Sequence, residues 1–134
     1  MIRRLIFLTL LIIAPIASMA ENKITCNSES NQMELNSCAG DDFATADKEL
    51  NSVYNALVKK QAGDPNFIRK LKIAQNAWIK FRDAELDAIF ACSEAETRMC
   101  WGSMYQMSFL NRKTELSRDR TKQLKRLFNK GRGN

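Results

Sequence analysis

Three stretches of the chain carry apolar residues at three- and four-residue steps, the spacing of one helix face. In the first, Phe43, Ala46, Leu50, Val53, Tyr54, Leu57 and Val58 recur in this way. Asp41 or Asp42 can cap its start, and Gly63 can end it. Asp64-Pro65 then supplies a cap followed by a first-turn proline. Phe67, Leu71, Ala74, Trp78, Phe81, Ala84 and Ala88 mark a second helix running to about Ala91. A third starts near Ser103 and carries Met107, Leu110, Leu116, Leu124 and Leu127. Its stripe is weaker, because Thr114, Ser117 and Thr121 share the face. A short helix or turn is expected over residues 31–38. No segment alternates as a strand does, and no repeat is visible. Gly40, Gly63, Pro65 and Gly102 punctuate the pattern, while Gly131 and Gly133 mark a frayed tail. Three helices with short connections predict an all-α, antiparallel three-helix bundle with a short N-terminal arm. Trp78, Phe81, Leu50 and Tyr54 are its expected core residues, and packing is the expected role of the aromatics.

The first twenty residues follow a different logic. Met1-Ile2-Arg3-Arg4 is a short positive start, and residues 5–16 are apolar but for Thr9 and Pro15. Ser18-Met19-Ala20 offers small residues where a signal peptidase reads. This is the pattern of a secretory signal peptide cut after Ala20. The apolar run is too short to span a bilayer comfortably. The expectation is a single domain over residues 21–134, acting in the periplasm or outside the cell. Lys23-Ile24-Thr25 precedes Cys26 and lacks the small residues of a lipoprotein cleavage site.

Export makes disulfides possible at Cys26, Cys38, Cys92 and Cys100. Four cysteines allow three pairings. Short loop closure favours Cys26–Cys38 and Cys92–Cys100. No Cys-x-x-Cys spacing supports a redox role, and a four-thiolate zinc site does not suit an oxidising compartment.

The 134-residue chain has no histidine. That removes the hydrolases that pair serine or cysteine with histidine, and most zinc chemistry. No metal, cofactor or catalytic residue is expected. Asp83 and Asp87 lie one turn apart, but acidic pairs on solvated helix faces are common, and the chain is read as a binding protein without catalysis. The net charge of +6 conceals an uneven distribution. Residues 112–134 hold nine basic and two acidic side chains, against ten and thirteen in residues 21–111. Asp83, Glu85, Asp87, Glu94 and Glu96 crowd the end of the second helix, and Asp41, Asp42, Asp47 and Glu49 form a second acidic group. Arg82 and Asp83 are expected to pair internally and join helices. The basic end, with Leu124, Leu127 and Phe128, could instead rest on an anionic envelope component. Nucleic acid is not expected as a partner of an exported protein.

Several segments carry a resemblance. They are Gln32-Met33-Glu34-Leu35-Asn36-Ser37-Cys38-Ala39, then Ala46-Asp47-Lys48-Glu49-Leu50-Asn51 with Tyr54 and Leu57, then the long run from Leu71 through Gln75, Trp78, Phe81, Arg82 and Asp83 to Glu85. Gly102-Ser103-Met104-Tyr105, with Arg120 and Leu124, closes the series. In this order they resemble the LprI-like lysozyme inhibitor family of exported bacterial proteins. The resemblance implies a stoichiometric inhibitor with lysozyme as partner. Animal-type lysozymes are basic, so the first acidic group is the candidate contact surface. The family often places cysteines where this chain has Leu86 and Arg112. Their joint absence implies that Cys92–Cys100 substitutes for that bridge.

Overall fold

A computed structural model describes residues 26–131, Ser28 excepted. The expected signal peptide and its cleavage point lie outside the described residues. The described chain forms α1 (Gln32–Lys60), α2 (Pro65–Ile89), a short α3 (Thr97–Trp101), a 3-10 turn (Gly102–Met104) and α4 (Tyr105–Lys130). No strand occurs among the described residues. No helix there is long and apolar enough to cross a membrane.

The first long helix begins ten or eleven residues earlier than a cap at Asp41 or Asp42 would start it. Asn31 is the cap. Its side-chain oxygen accepts from the backbone N–H groups of Met33 and Glu34, both at 3.0 Å. The Glu34 carboxylate accepts in return from the Asn31 N–H at 2.9 Å. This reciprocal box satisfies the orphan donors of the first turn. Gly40 therefore lies inside a continuous helix, at a cost near ~1 kcal/mol relative to alanine. The Cys26–Cys38 disulfide ties the N-terminal arm to this new first segment.

Consecutive long helices run antiparallel, so α1 and α4 run parallel. Asp42 meets Arg118 and Glu49 meets Lys125, with the same separation of 76 residues in each pair. Their pairing is the closest in the bundle. On α1 the buried positions are Ala39, Ala46, Leu50 and Leu57. On α4 they are Thr114, Ser117, Thr121 and Leu124. The α1 steps are seven, four and seven and the α4 steps three, four and three, both in register with the heptad seam of a coiled coil. Alanine, serine and threonine bring the two backbones together. Thr114 and Thr121 satisfy their hydroxyls within α4, donating to the carbonyls of Leu110 at 2.8 Å and Ser117 at 2.9 Å. The residues that weaken the apolar stripe of α4 are thus its buried ones.

Leu71 brings α2 into one core cluster with Leu50, Leu57 and Leu124, and Tyr54, Phe67 and Trp78 pack against it. The expected core position of Phe81 is incorrect: this ring is 60 % exposed. The buried line on α2 is Leu71, Gln75, Arg82 and Leu86, with Trp78 half-buried among them. Phe81 precedes Arg82, and one residue turns a helix by about 100°. Reading only apolar letters skipped Gln75 and Arg82 and rotated the inferred face away from the core.

Between α2 and α4 the chain forms α3 and a 3-10 turn. These are too short to show helical periodicity. Gly102 links them at φ 61°, a left-handed conformation that glycine adopts without Cβ strain.

Candidate functional site

The C-terminal end of α2 and the connection to α4 form a stapled corner. Phe90 is buried just after the helix end. Its ring lies 4.9 Å from Trp101, 5.8 Å from Tyr105 and 5.5 Å from Phe109. The Cys92–Cys100 disulfide closes the loop between them. Aromatic packing and a covalent link thus anchor both ends of a loop that otherwise faces solvent. Its outer surface carries Glu94 and Glu96, both exposed. Met99 is 74 % exposed and Met104 53 % exposed. A fixed loop mixing carboxylates with accessible methionines can meet a basic, partly apolar partner at low ordering cost.

The proposed acidic residues divide by partner. Asp83 accepts an ion pair from Arg82 at 2.7 Å, but these are neighbours on α2, so the pair joins no helices as expected. Successive residues on one helix cannot bridge to a neighbour merely by pairing with each other. Glu85 makes the interhelical link, to Arg112 of α4 at 2.6 Å. The hydrogen bonds that Arg112 donates to Glu85 and Glu115 raise its pKa further, keeping its charge fixed. Asp87, Glu94 and Glu96 are exposed and form no ion pair among the described residues. In the second group, Asp42 pairs with Arg118 at 3.3 Å and Glu49 with Lys125 at 2.6 Å. The basic end of the chain is therefore partly neutralised inside the bundle. Lys125 holds the Glu49 carboxyl below the usual glutamate range, by hydrogen bond and charge.

The same seam removes the apolar half of the envelope-contact idea. Leu124 is fully buried, and Leu127 and Phe128 pack on the core. Lys60 covers the Phe128 ring at 4.4 Å. The basic helix has spent these apolar residues on its own bundle.

Two clefts open near the start of α1. One runs between α1 and the α3 region, lined by Gln32, Met33, Asn36, Ser37, Arg98, Ser103 and Gln106. The other is lined by Cys26, Leu35, Cys38, Ala39, Asp42, Met107 and Asn111. Neither brings an acid, a base and a nucleophile together. No cluster of three metal-ligating side chains occurs among the described residues.

The family model for the lysozyme inhibitor LprI matches residues 25–124. The chain belongs to the LprI family. It is also 36 % identical over 114 residues to an uncharacterized protein of Rhizobium meliloti (strain 1021), covering 77 % of this chain and 78 % of that one. No solved structure matches it.

The LprI-like run on α2 is an interface. Gln75 accepts from Arg120 of α4 at 2.9 Å. Trp78 lies between two guanidinium groups, Arg82 at 5.3 Å and Arg120 at 5.9 Å from its ring. Burial lowers the pKa of Arg120 from its ordinary value. Glu85 continues this contact to Arg112. The residues that carry the resemblance thus fasten α2 to α4, while the stapled corner beyond them carries accessible charge. Sequence reading missed Met99, Trp101 and Met104 because no helical period flagged them. Their placement beside the disulfide loop was the available signal.

Proposed function

We propose that this protein is an exported lysozyme inhibitor that acts by stoichiometric binding, without turnover, cofactor or metal. The observation that carries the reading is the LprI family match over residues 25–124. The proposed contact surface is the stapled corner. Asp87, Glu94 and Glu96 provide its accessible negative charge, Asp83 and Glu85 border it but are held in ion pairs with Arg82 and Arg112, and Met99 and Met104 provide apolar contact. Such a surface favours encounter with a basic lysozyme. Arg112, Arg118 and Lys125 are compensated by carboxylates within the bundle, and on the corner itself the exposed Arg98 is outnumbered by Asp87, Glu94 and Glu96. The signal-peptide pattern and the two disulfides support a periplasmic or secreted location, with residues 21–134 as the working domain.

The test is a lysozyme clearing assay with equimolar protein at low and moderate salt. Inhibition should saturate at one binding equivalent. Neutralising Asp87, Glu94 and Glu96 together should slow association, and added salt should slow the wild type more than this variant. No inhibition of animal or bacterial lysozymes, with salt-sensitive retention on anionic envelope fractions, would instead favour the basic residues Lys122, Lys125 and Arg126 as the working surface.

A further inference from the structure

The topology gathers three helix ends at one pole of the bundle. There α1 ends at Lys60, α2 begins at Pro65 and α4 ends at Lys130. Leu57, Phe67, Leu127 and Phe128 join one core cluster beneath them. Lys60 Nζ donates to the Phe128 carbonyl at 2.5 Å and lies over its ring. Residues 54–70 and 126–131 hold six basic side chains, Lys59, Lys60, Arg69, Lys70, Arg126 and Lys130. They hold one acid, Asp64, whose carboxylate caps α2 by accepting from the Phe67 N–H at 2.9 Å. All six cations are exposed, and none forms an ion pair among the described residues.

Helix stability explains half of this set. Lys59, Lys60 and Lys130 lie in the last turns of α1 and α4, where the helix dipole favours cations. Arg69 and Lys70 lie near the start of α2, toward the positive end of its dipole, and the first turn of that helix holds no acid. Their charge does nothing for the helix that carries them.

We propose that this pole docks on a lipid bilayer bearing anionic phosphate headgroups. Its cations are spread over three helix ends, so together they match an extended anionic plane and not one small anion. The clefts that could seat a threaded polymer open at the other pole, beside the start of α1. The contact is electrostatic, without insertion. Leu57 is buried, and Phe67, Leu127 and Phe128 pack on the core. None of the large exposed apolar side chains among the described residues falls within 54–70 or 126–131. At the far end of α2, Asp87 follows Lys70 by seventeen residues, about 25 Å along the helix. That is roughly three Debye lengths at physiological salt, so the acidic corner does not cancel the attraction. Docking by the basic pole turns the stapled corner away from the bilayer.

The experiment is co-sedimentation of the protein, purified after export of the full chain, with vesicles of phosphatidylglycerol and phosphatidylcholine in equal parts. Binding should fall by at least about tenfold between about 50 mM and about 300 mM salt. Vesicles of phosphatidylcholine alone should not bind. Arg69→Gln with Lys70→Gln, and separately Arg126→Gln with Lys130→Gln, should each weaken binding by at least about tenfold. The helical circular dichroism spectrum should not change. Lys80→Gln also removes an exposed charge, but about 15 Å from Lys70 along α2, and should change binding by less than about twofold. Equal binding to neutral vesicles overturns the proposal, as does binding that the Arg69 and Lys70 variant leaves intact. Retention on soluble polyphosphate without binding to the vesicles also overturns it, and gives the pole to an anionic polymer. None of these measurements involves lysozyme, so their failure is separate from that of the inhibitor reading.

Discussion

The α1–α4 seam and the α2–α4 contact stabilise one bundle by different means. At the seam, small side chains bring two parallel helices close. Leucines fill the remaining space, and ion pairs seven residues apart flank it. Across the other contact, Leu71 and Leu86 supply apolar burial, while Gln75, Trp78, Arg82, Glu85, Arg112 and Arg120 supply polar and cation–π links. The seam depends on volume and shape, which any misfitting atom disturbs. The second contact depends on matched partners, and losing one leaves another exposed or unsatisfied. A short helical protein can thus place a polar motif inside its fold and keep other surface for binding.

The largest expected effect breaks the seam at its centre. Leu124→Ala removes a fully buried side chain and should cost about 3–5 kcal/mol. Urea unfolding monitored by circular dichroism measures it, and a loss below about 1 kcal/mol would show that the seam readily collapses around the gap.

The second contact breaks at Trp78. Trp78→Ala removes a half-buried ring and its two guanidinium contacts, at about 2–4 kcal/mol. Lysozyme binding per folded molecule should persist. An unchanged unfolding midpoint with lost binding would instead make Trp78 a contact residue.

Next comes the staple. Replacing Cys92 and Cys100 together by serine opens a loop of eight-residue separation and should cost about 2.5 kcal/mol. It should also weaken lysozyme inhibition more than the Trp78 change does, because the corner loses its preset shape. Equal inhibition titrations by the variant and the wild type would remove the corner from the proposed contact.

A smaller effect has the opposite sign. Ser117 Oγ is buried without a hydrogen-bond partner. Ser117→Ala should therefore be neutral or stabilise by up to about 1 kcal/mol, read from the thermal midpoint. Destabilisation beyond that range would reveal a bond the hydroxyl makes in solution.

The smallest lies at the seam's rim. Lys125 depresses the folded-state pKa of Glu49. This carboxylate therefore adds stability above the ordinary glutamate pKa of about 4.3, and that increment disappears as pH falls through the lower folded value. Because the side chain is 48 % exposed, the increment should be below about 1 kcal/mol. The gap between wild type and Glu49→Gln in urea unfolding should be present at neutral pH and close in acid. A gap that widens in acid would refute the pairing.

Periodicity alone determined that the domain is helical, that three long helices turn sharply between neighbours, and that α2 begins at Asp64-Pro65. Each depends on local geometry: 3.6 residues per turn, a cap, and a proline with a fixed φ. Close spacing also pointed to Cys26–Cys38 and Cys92–Cys100, and the LprI-like residues pointed to the family. The tertiary structure decided the rest. It moved the start of α1 to Asn31, because a capping box outweighs one interior glycine. It placed Thr114, Ser117 and Thr121 inside, because close helix approach rewards small side chains and α4 satisfies two of the three hydroxyls itself. It turned Phe81 outward, because Gln75 and Arg82 occupy the inner line with partners on α4 and beside them. It paired the basic end with acidic side chains more than seventy positions away in the chain. Composition reports such charges only as a sum, whereas their electrostatic effect depends on which of them meet in space.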